Sequence, residues 1–179
     1  MAYDLSREDR RRGGFMRTWL RLTLVTMTVG GGFTGLVATL LAFSTSNVQL
    51  PYSLLPVASF VPLYAFVLTS GLIFVMHPER TRPLTAALLI QTLWISSPLV
   101  VYRFASGFYA VLKLSSPDAG TFGARVQTEF RVGCIWHIGW LSGDSWCIGI
   151  NFFAIAILIL LWRSVQSTNA VAQATSASD

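Results

Sequence analysis

The only two cysteines of the chain bracket a segment rich in side chains that can bind metal or undergo redox chemistry. The segment reads CIWHIGWLSGDSWC and spans residues 134–147. Its candidate metal ligands are Cys134, His137, Asp144 and Cys147, and the Cys-x2-His spacing is typical of zinc ligands. The second half offers only Asp-x2-Cys, which is a poor structural zinc pair. The interpretations therefore include a metal site, another bound cofactor such as haem, a disulfide, and two free thiols.

The composition indicates which environment these side chains meet. Apolar residues make up 53% of the 179 residues and charged residues 12%, about half the usual share in a soluble domain. Mean hydropathy is +0.57. The net charge of +5 comes from basic residues at the edges of apolar runs, and no basic groove with interleaved aromatic residues is present. We therefore expect a membrane protein that does not bind nucleic acid.

Four apolar runs are long enough to cross a bilayer. About 20 helical residues span a hydrocarbon core of roughly 30 Å. The runs cover residues 22–43, 54–76, 84–102 and 145–162. The sequence thus predicts an all-α integral membrane protein with four transmembrane helices in one membrane domain, residues 22–162. A cleaved signal peptide is the alternative for the first run, although its apolar core is longer than such signals use.

Basic residues predict which helix ends face the cytoplasm. Nine of them lie before the first run, between the second and third, or directly after the fourth: Arg7, Arg10, Arg11, Arg12, Arg17, Arg21, Arg80, Arg82 and Arg163. Positive charge stays on the cytoplasmic, matrix or stromal side. The basic segment 1–21 and the polar tail 163–179, whose composition predicts disorder, should therefore both be cytoplasmic.

The same topology places the segment between the third and fourth helices on the extracytoplasmic side. Most such compartments are oxidising, so a disulfide between Cys134 and Cys147 becomes the favoured interpretation. It would close a loop of roughly 14 residues and stabilise the protein by about 3 kcal/mol in the chain-entropy model. Metal ligation within this segment is the alternative.

The first apolar run carries small residues in a pattern that favours helix packing. Gly31 and Gly35 form a GxxxG motif. A stripe of small residues at every fourth position runs beside it: Thr26, Gly30, Thr34, Ala38 and Ala42. Such faces let helix backbones approach closely without a hydrophobic driving force. The pattern predicts association either within the protein or with a partner subunit.

The four runs offer little for catalysis or transport. They contain no charged residue, and their polar residues at depth are Gln91 and Asn151, which can hydrogen-bond across a helix bundle. A bound lipid, quinone or pigment that contacts Gln91 is the alternative interpretation. No nucleophile elbow, phosphate-binding loop, zinc-protease motif or dinucleotide fingerprint is present. We therefore expect no catalytic activity and predict no cofactor.

The layout of four spans, inner termini and a cysteine-bearing outer segment resembles that of tetraspan membrane organisers such as MARVEL-type proteins. The tryptophan and cysteine signature of claudins and the CCG motif of tetraspanins are absent. We therefore expect a non-catalytic protein that associates laterally with membrane lipids, with other membrane subunits or with itself. It would serve as an accessory subunit of a larger complex or as a membrane organiser. A small transporter or channel-forming subunit, or a lipid- or cofactor-binding membrane protein, is the alternative.

Overall fold

A computed structural model describes residues 18–45, 54–116, 124–140 and 145–176, with side chains except those of residues 45, 54–57, 140 and 167–176. Helix α1 covers residues 18–45 and contains a π-helical turn at Thr26–Gly30 before its α-helical part, Gly31–Thr45. The other helices are α2 (Leu54–Met76), α3 (Arg82–Ile90) and α4 (Phe152–Ser176). The basic segment up to residue 17 and the last three residues of the tail lie outside the described residues.

In the described residues between α3 and α4, six strands form one antiparallel sheet. They are β1 (Leu93–Ser96), β2 (Val100–Ala105), β3 (Phe108–Ser115), β4 (Arg125–Val132), β5 (Ile135–Trp140) and β6 (Cys147–Asn151). Their order across the sheet is β4-β3-β6-β1-β2-β5, so the last strand in the chain lies inside the sheet and pairs with both β1 and β3. The fold is therefore α+β, and the all-α prediction is wrong.

The third and fourth apolar runs are not membrane spans because each is part helix and part strand. The third run begins as α3, whose nine residues reach only about 14 Å. It turns at residues 91–92 and continues as β1 and β2, where aromatic and β-branched residues fit a pleated sheet. The fourth run starts as β6 and becomes helical only at Phe152. A continuous apolar run indicates burial, but it does not distinguish a buried strand from a helix.

Within the described residues, two helices are long and apolar enough to cross a membrane. They are Thr18–Ser44 and Ala58–Met76, which belong to α1 and α2. The predicted four-span, multi-pass topology with both termini on the cytoplasmic side is therefore wrong. In addition, α4 continues to Ser176, through residues for which the polar composition predicted disorder.

The sheet must curl because two of its links are very short. In a flat sheet β2 and β3 would lie three strand spacings apart, about 14 Å. Only Ser106 and Gly107 join them, and three Cα steps span at most about 11 Å. The edge strands β4 and β5 are likewise joined by Gly133 and Cys134, and the Gly133 N–H donates to the Gly107 carbonyl at 2.5 Å. The two short links thus meet and draw the sheet edges together at this end.

The concave face of the curled sheet buries its own hydrophobic cluster. Trp94 of β1, Ala105 of β2, and Tyr109 and Val111 of β3 are at most 2% exposed, and Ile135 of β5 packs against them. Because β3 and β5 are four spacings apart, about 19 Å in a flat sheet, only curvature lets them share one cluster.

The helices pack on the opposite, convex face. The rings of Phe60 and Tyr64 on α2 contact Phe104 of β2, and Phe60 also contacts Trp136 of β5 with 5.1 Å between ring centroids. A second cluster joins all four helices: Leu24, Phe74, Leu84, Leu88, Ile157 and Leu161. These two clusters hold the helices to one another and to the sheet.

Two buried amides connect the helices to the sheet. The Gln91 side chain accepts from the Ser106 N–H at 2.8 Å and donates to the Ala87 carbonyl at 3.0 Å. The Asn151 side chain accepts from the Ala110 N–H at 3.2 Å and donates to the Gln91 carbonyl at 3.2 Å. Since both side chains are buried, these bonds replace those lost to water. Both ends of the Gln91 amide are thus engaged by the protein itself.

Replacing the buried amide should destabilise the protein far more than replacing an exposed one. We expect Gln91→Ala to lower the free energy of unfolding by about 2–3 kcal/mol, because the Ser106 N–H loses its acceptor in a buried site. Gln127→Ala, the same change at an exposed position of β4, should alter it by less than about 0.5 kcal/mol. Denaturant unfolding followed by circular dichroism measures both. Equal effects would contradict the role given to the amide network.

Candidate functional site

The two cysteines lie far apart on the sheet as free thiols. Cys147 begins β6, which is three strand spacings, about 14 Å across a flat sheet, from β5. Cys134 precedes β5 and lies at the opposite end of the strands, beyond the Ala105–Ile135 pair. A disulfide requires Cα atoms within about 7 Å. The predicted Cys134–Cys147 disulfide is therefore wrong, because the chain between the cysteines crosses the sheet instead of closing a compact loop.

The candidate metal ligands are not brought together either. Cys134 and Trp136 pack on the helix side of the sheet, whereas His137 is exposed on the other face, because strand side chains alternate. The two side chains of a Cys-x2-His pair can approach the same metal ion in a turn. Along a strand they lie on opposite faces of the sheet. Asp144 lies outside the described residues. Among the described residues, no three metal-ligating side chains form a group.

Cys134 instead contacts α1 and helps to hold it on the sheet. Its thiol donates to the Gly31 carbonyl at 3.1 Å and lies 3.3 Å from the Thr34 hydroxyl. Beside it, the Tyr64 hydroxyl of α2 donates to the Ile135 carbonyl at 3.3 Å. These polar contacts hold the two long helices over β5, so we assign Cys134 a packing role.

The small-residue stripe of α1 faces outward. All five of its members are exposed: Thr26, Gly30, Thr34, Ala38 and Ala42. A Cβ added at Gly30 would meet no heavy atom within 4 Å. The stripe is thus presented at the surface of the protein and is not used to pack α1 on α2.

The GxxxG motif faces inward. Gly31, Gly32 and Gly35 are buried. A Cβ added at Gly35 would lie 2.2 Å from the Tyr64 ring, and one at Gly32 would lie 2.8 Å from the Leu68 nitrogen. Helix α1 can therefore approach α2 this closely only where it has no side chain.

Large apolar side chains accompany the stripe on the surface of α1 and α2. In the most apolar 18-residue stretch of each helix, only 33% of the residues are buried. The exposed side chains are Trp19, Leu22, Phe33, Val37, Leu40, Leu41 and Phe43 on α1, and Phe66, Leu72, Val75 and Met76 on α2. We call these residues, together with the five stripe residues, the outer helix face. An exposed apolar surface of this kind marks contact with lipid or with another protein.

Two threonines exposed on the long helices bond within their own helix. Thr34 donates to the Gly30 carbonyl at 2.8 Å, and Thr69 donates to the Ala65 carbonyl at 2.8 Å. Such bonds to the preceding turn satisfy the hydroxyl without water. Both threonines therefore keep their hydrogen bonds when the surface leaves water.

Charged residues gather at one end of the helices. The Arg21 guanidinium donates to the Val75 carbonyl at 3.0 Å, so the start of α1 meets the end of α2. Ser164 of α4 lines the same cavity as Arg21, which brings the neighbouring part of α4 to this end. We call this region the basic end and define it by its charged residues: Arg21, Glu79, Arg80, Arg82 and Arg163.

A charged cluster that the sequence reasoning missed lies beside the concave core. Lys113 of β3 pairs with Glu129 of β4, and Tyr109 donates to the second carboxylate oxygen at 3.1 Å. Partial burial opposes ionisation of Glu129, but its bonds to Lys113 and Tyr109 and the nearby positive charges keep the pKa of this carboxyl group below its ordinary value. The pKa of Tyr109 is raised to about 12, first by burial and then by the charge of Glu129 and the hydrogen bond to it. The cluster links β3 to β4. Its residues come together through the pairing register of these two strands, which the sequence does not state.

No protein-family model, curated protein or solved structure matches the chain. The outer helix face and the basic end are the surfaces of the described residues whose chemistry indicates a function.

Two glycines five residues apart in α1, Gly30 and Gly35, should respond oppositely to substitution by alanine. We expect Gly35→Ala to lower the free energy of unfolding by about 1–3 kcal/mol, because the new methyl group would overlap the Tyr64 ring. Gly30→Ala faces open space and should leave stability unchanged or raise it by up to about 1 kcal/mol. Thermal or denaturant unfolding compares them. A harmless Gly35→Ala would contradict the inward packing of the GxxxG motif.

Both thiols should react without prior reduction. We expect iodoacetamide to modify Cys134 and Cys147 in the unfolded protein under non-reducing conditions, because no bond joins the two sulfur atoms. Intact mass spectrometry counts the added groups, and a reduced sample is the control. A mass that shows two modifications only after reduction would contradict the separation of the cysteines on the sheet.

Proposed function

We propose that the chain is a non-catalytic, membrane-associated protein that acts by lateral association of its outer helix face, as an accessory subunit of a larger membrane complex. The observation that carries this proposal is the exposure of two uncharged helix surfaces, each buried over only a third of its most apolar window. Leaving such a surface in water is unfavourable, since burial gains roughly 25 cal/mol per Å² of apolar area. A covering layer of lipid and partner helices removes that penalty.

Several properties of the outer helix face suit it to lipid. A helix bonds its backbone groups internally, so it can enter hydrocarbon without unpaired N–H or C=O groups. The two stretches have 27 and 19 residues, or about 40 and 29 Å, against a hydrocarbon core of roughly 30 Å. Arg21 and Met76, at the start of α1 and the end of α2, lie at the same basic end. The uncharged lengths of both helices therefore begin at the same end of the protein and overlap in depth.

The small-residue stripe favours association with a partner helix. Exposed positions such as Gly30, Thr34 and Ala38 allow a second helix to approach the α1 backbone closely. In lipid such packing relies on dispersion and close backbone contact, because lipid tails are as apolar as the side chains that they cover. We therefore assign the stripe to a membrane partner and the large apolar side chains around it to lipid.

The convex side of the sheet is less suited to hydrocarbon, although it also exposes apolar side chains. These include Leu114, Val126, Phe130, Val132, Ile148 and Ile150. β4 is an edge strand, so one side of its backbone pairs with no strand of the described sheet, and it carries Arg125 and Arg131. Unpaired backbone groups are costly in hydrocarbon. The proposal accordingly places the helices, and not the sheet, in contact with the lipid interior.

A carboxylate on the outer helix face should weaken membrane binding strongly, whereas one on an exposed turn should not. We expect Leu40→Glu to reduce flotation with phosphatidylcholine vesicles at least tenfold, because a charge in hydrocarbon costs roughly 2.5–3.5 kcal/mol. Leu99→Glu makes the same change at another exposed leucine, between β1 and β2, and should float like the unmodified protein.

A third variant, Val126→Glu, tests the convex side of the sheet with the same assay. Flotation that is lost by Val126→Glu and kept by Leu40→Glu would assign membrane contact to the sheet and contradict the proposal. An unmodified protein that remains in the aqueous fraction would reject lipid contact altogether.

A further inference from the structure

A cavity of about 490 Å³ lies at the basic end, among α1, α2, the α2–α3 turn and α4. Its volume falls within the usual range for small-molecule pockets, roughly 300–1,000 Å³. Leu24, Phe74 and Leu161 contribute buried apolar side chains to its lining. Its polar lining residues are Arg21, Glu79, Thr81 and Ser164. The cavity therefore combines an apolar floor with a polar rim.

The charge around this cavity favours an anion. Four guanidinium groups and one carboxylate make up the charged residues of the basic end. The carboxylate of Glu79 lies 3.4 Å from the His77 ring nitrogen, so it has a partner outside the cavity lining. The Arg21 guanidinium uses one N–H for the Val75 carbonyl, and a guanidinium carries five donors. Arg21 therefore retains donors for a carboxylate or phosphate.

The position of the cavity fits a ligand that is partly lipid. Trp19 and Trp162, both exposed, lie at the same end of the helices as Arg21 and Ser164. Tryptophan and arginine side chains are favoured at the headgroup level of a bilayer. A ligand with an acyl chain and an anionic head would meet the apolar side chains of the floor and then the Arg21 guanidinium at the rim.

We infer that this cavity binds an anionic amphiphile, with one acyl chain against Leu24, Phe74 and Leu161 and the anionic head at Arg21. The inference deepens the proposed function and rests on it only for placing the basic end at the headgroup level. The same chemistry is offered by two sources, a free single-chain lipid and an anionic phospholipid of the bilayer. The site does not require a metal or a reaction; it recognises charge and chain together.

The test uses the full chain in phosphatidylcholine nanodiscs and a photoreactive oleate as the probe. We expect cross-links to map to the residues that line the cavity on α1, α2 and α4. Unlabelled oleate should compete at least tenfold better than oleyl alcohol, which has the same chain without the charge. Inorganic phosphate should not compete. Competition by phosphatidylglycerol placed in the nanodisc would identify the bilayer as a source, and competition by oleate alone would identify a free lipid.

Two variants and a matched control make the test specific. Val165→Phe fills the cavity and should reduce labelling at least tenfold, whereas Ile159→Phe, on an exposed face of the same helix, should stay within about twofold. Arg21→Gln should remove the preference for oleate over oleyl alcohol. Equal competition by oleyl alcohol or by phosphate in the unmodified protein, or undiminished labelling of Val165→Phe, would overturn the inference.

Vesicle flotation separates this inference from the proposed function. Val165→Phe leaves the outer helix face unchanged and should still float on phosphatidylcholine vesicles. A protein that floats but shows no specific labelling refutes the cavity site and leaves the proposed function intact. The labelling is repeated in detergent micelles, and a protein that labels specifically there but does not float supports the site and refutes membrane association.

Discussion

The close approach of α1 to α2 is the contact on which the rest of the structure depends. It exists because Gly32 and Gly35 present only backbone to α2, so that the Tyr64 ring lies where a side chain at position 35 would otherwise be. Once this face is buried, the helix rotation is set, and the small-residue stripe must point away from the protein. The same contact brings Arg21 to the end of α2 and so builds the basic end.

The sheet supplies the platform for this helix pair, and its curvature follows from covalent geometry. Links of two residues join strands that a flat sheet would hold too far apart, so the sheet closes around Trp94 and Tyr109 on its concave face. The buried amides of Gln91 and Asn151 then bond strand, turn and helix together where α3 enters the sheet and α4 leaves it. These bonds fix the positions of α3 and α4 relative to the sheet.

The surface that results has two distinct parts with complementary chemistry. Along the long helices it is apolar, and the exposed Thr34 and Thr69 donate to carbonyl groups of their own helix. At one end it is basic and contains a cavity with an apolar floor. A bilayer has the same sequence of environments, from hydrocarbon to anionic headgroups. The proposed lateral association and the inferred amphiphile site therefore describe adjacent regions of one contact surface.

The amino-acid sequence by itself determined the two long helices: α2 covers the same residues as the second apolar run, and the first run lies within α1. A helix makes its backbone hydrogen bonds between residues four apart in the chain, so these two runs need no distant backbone partner to form one. Only the tertiary structure decided that the third and fourth runs divide between helix and sheet. A strand finds its hydrogen-bond partners far away in the chain, as β6 does with β1 and β3, and hydropathy does not record that pairing. The same pairing separated Cys134 from Cys147, because neighbours in a sheet are chosen by register and not by distance along the chain.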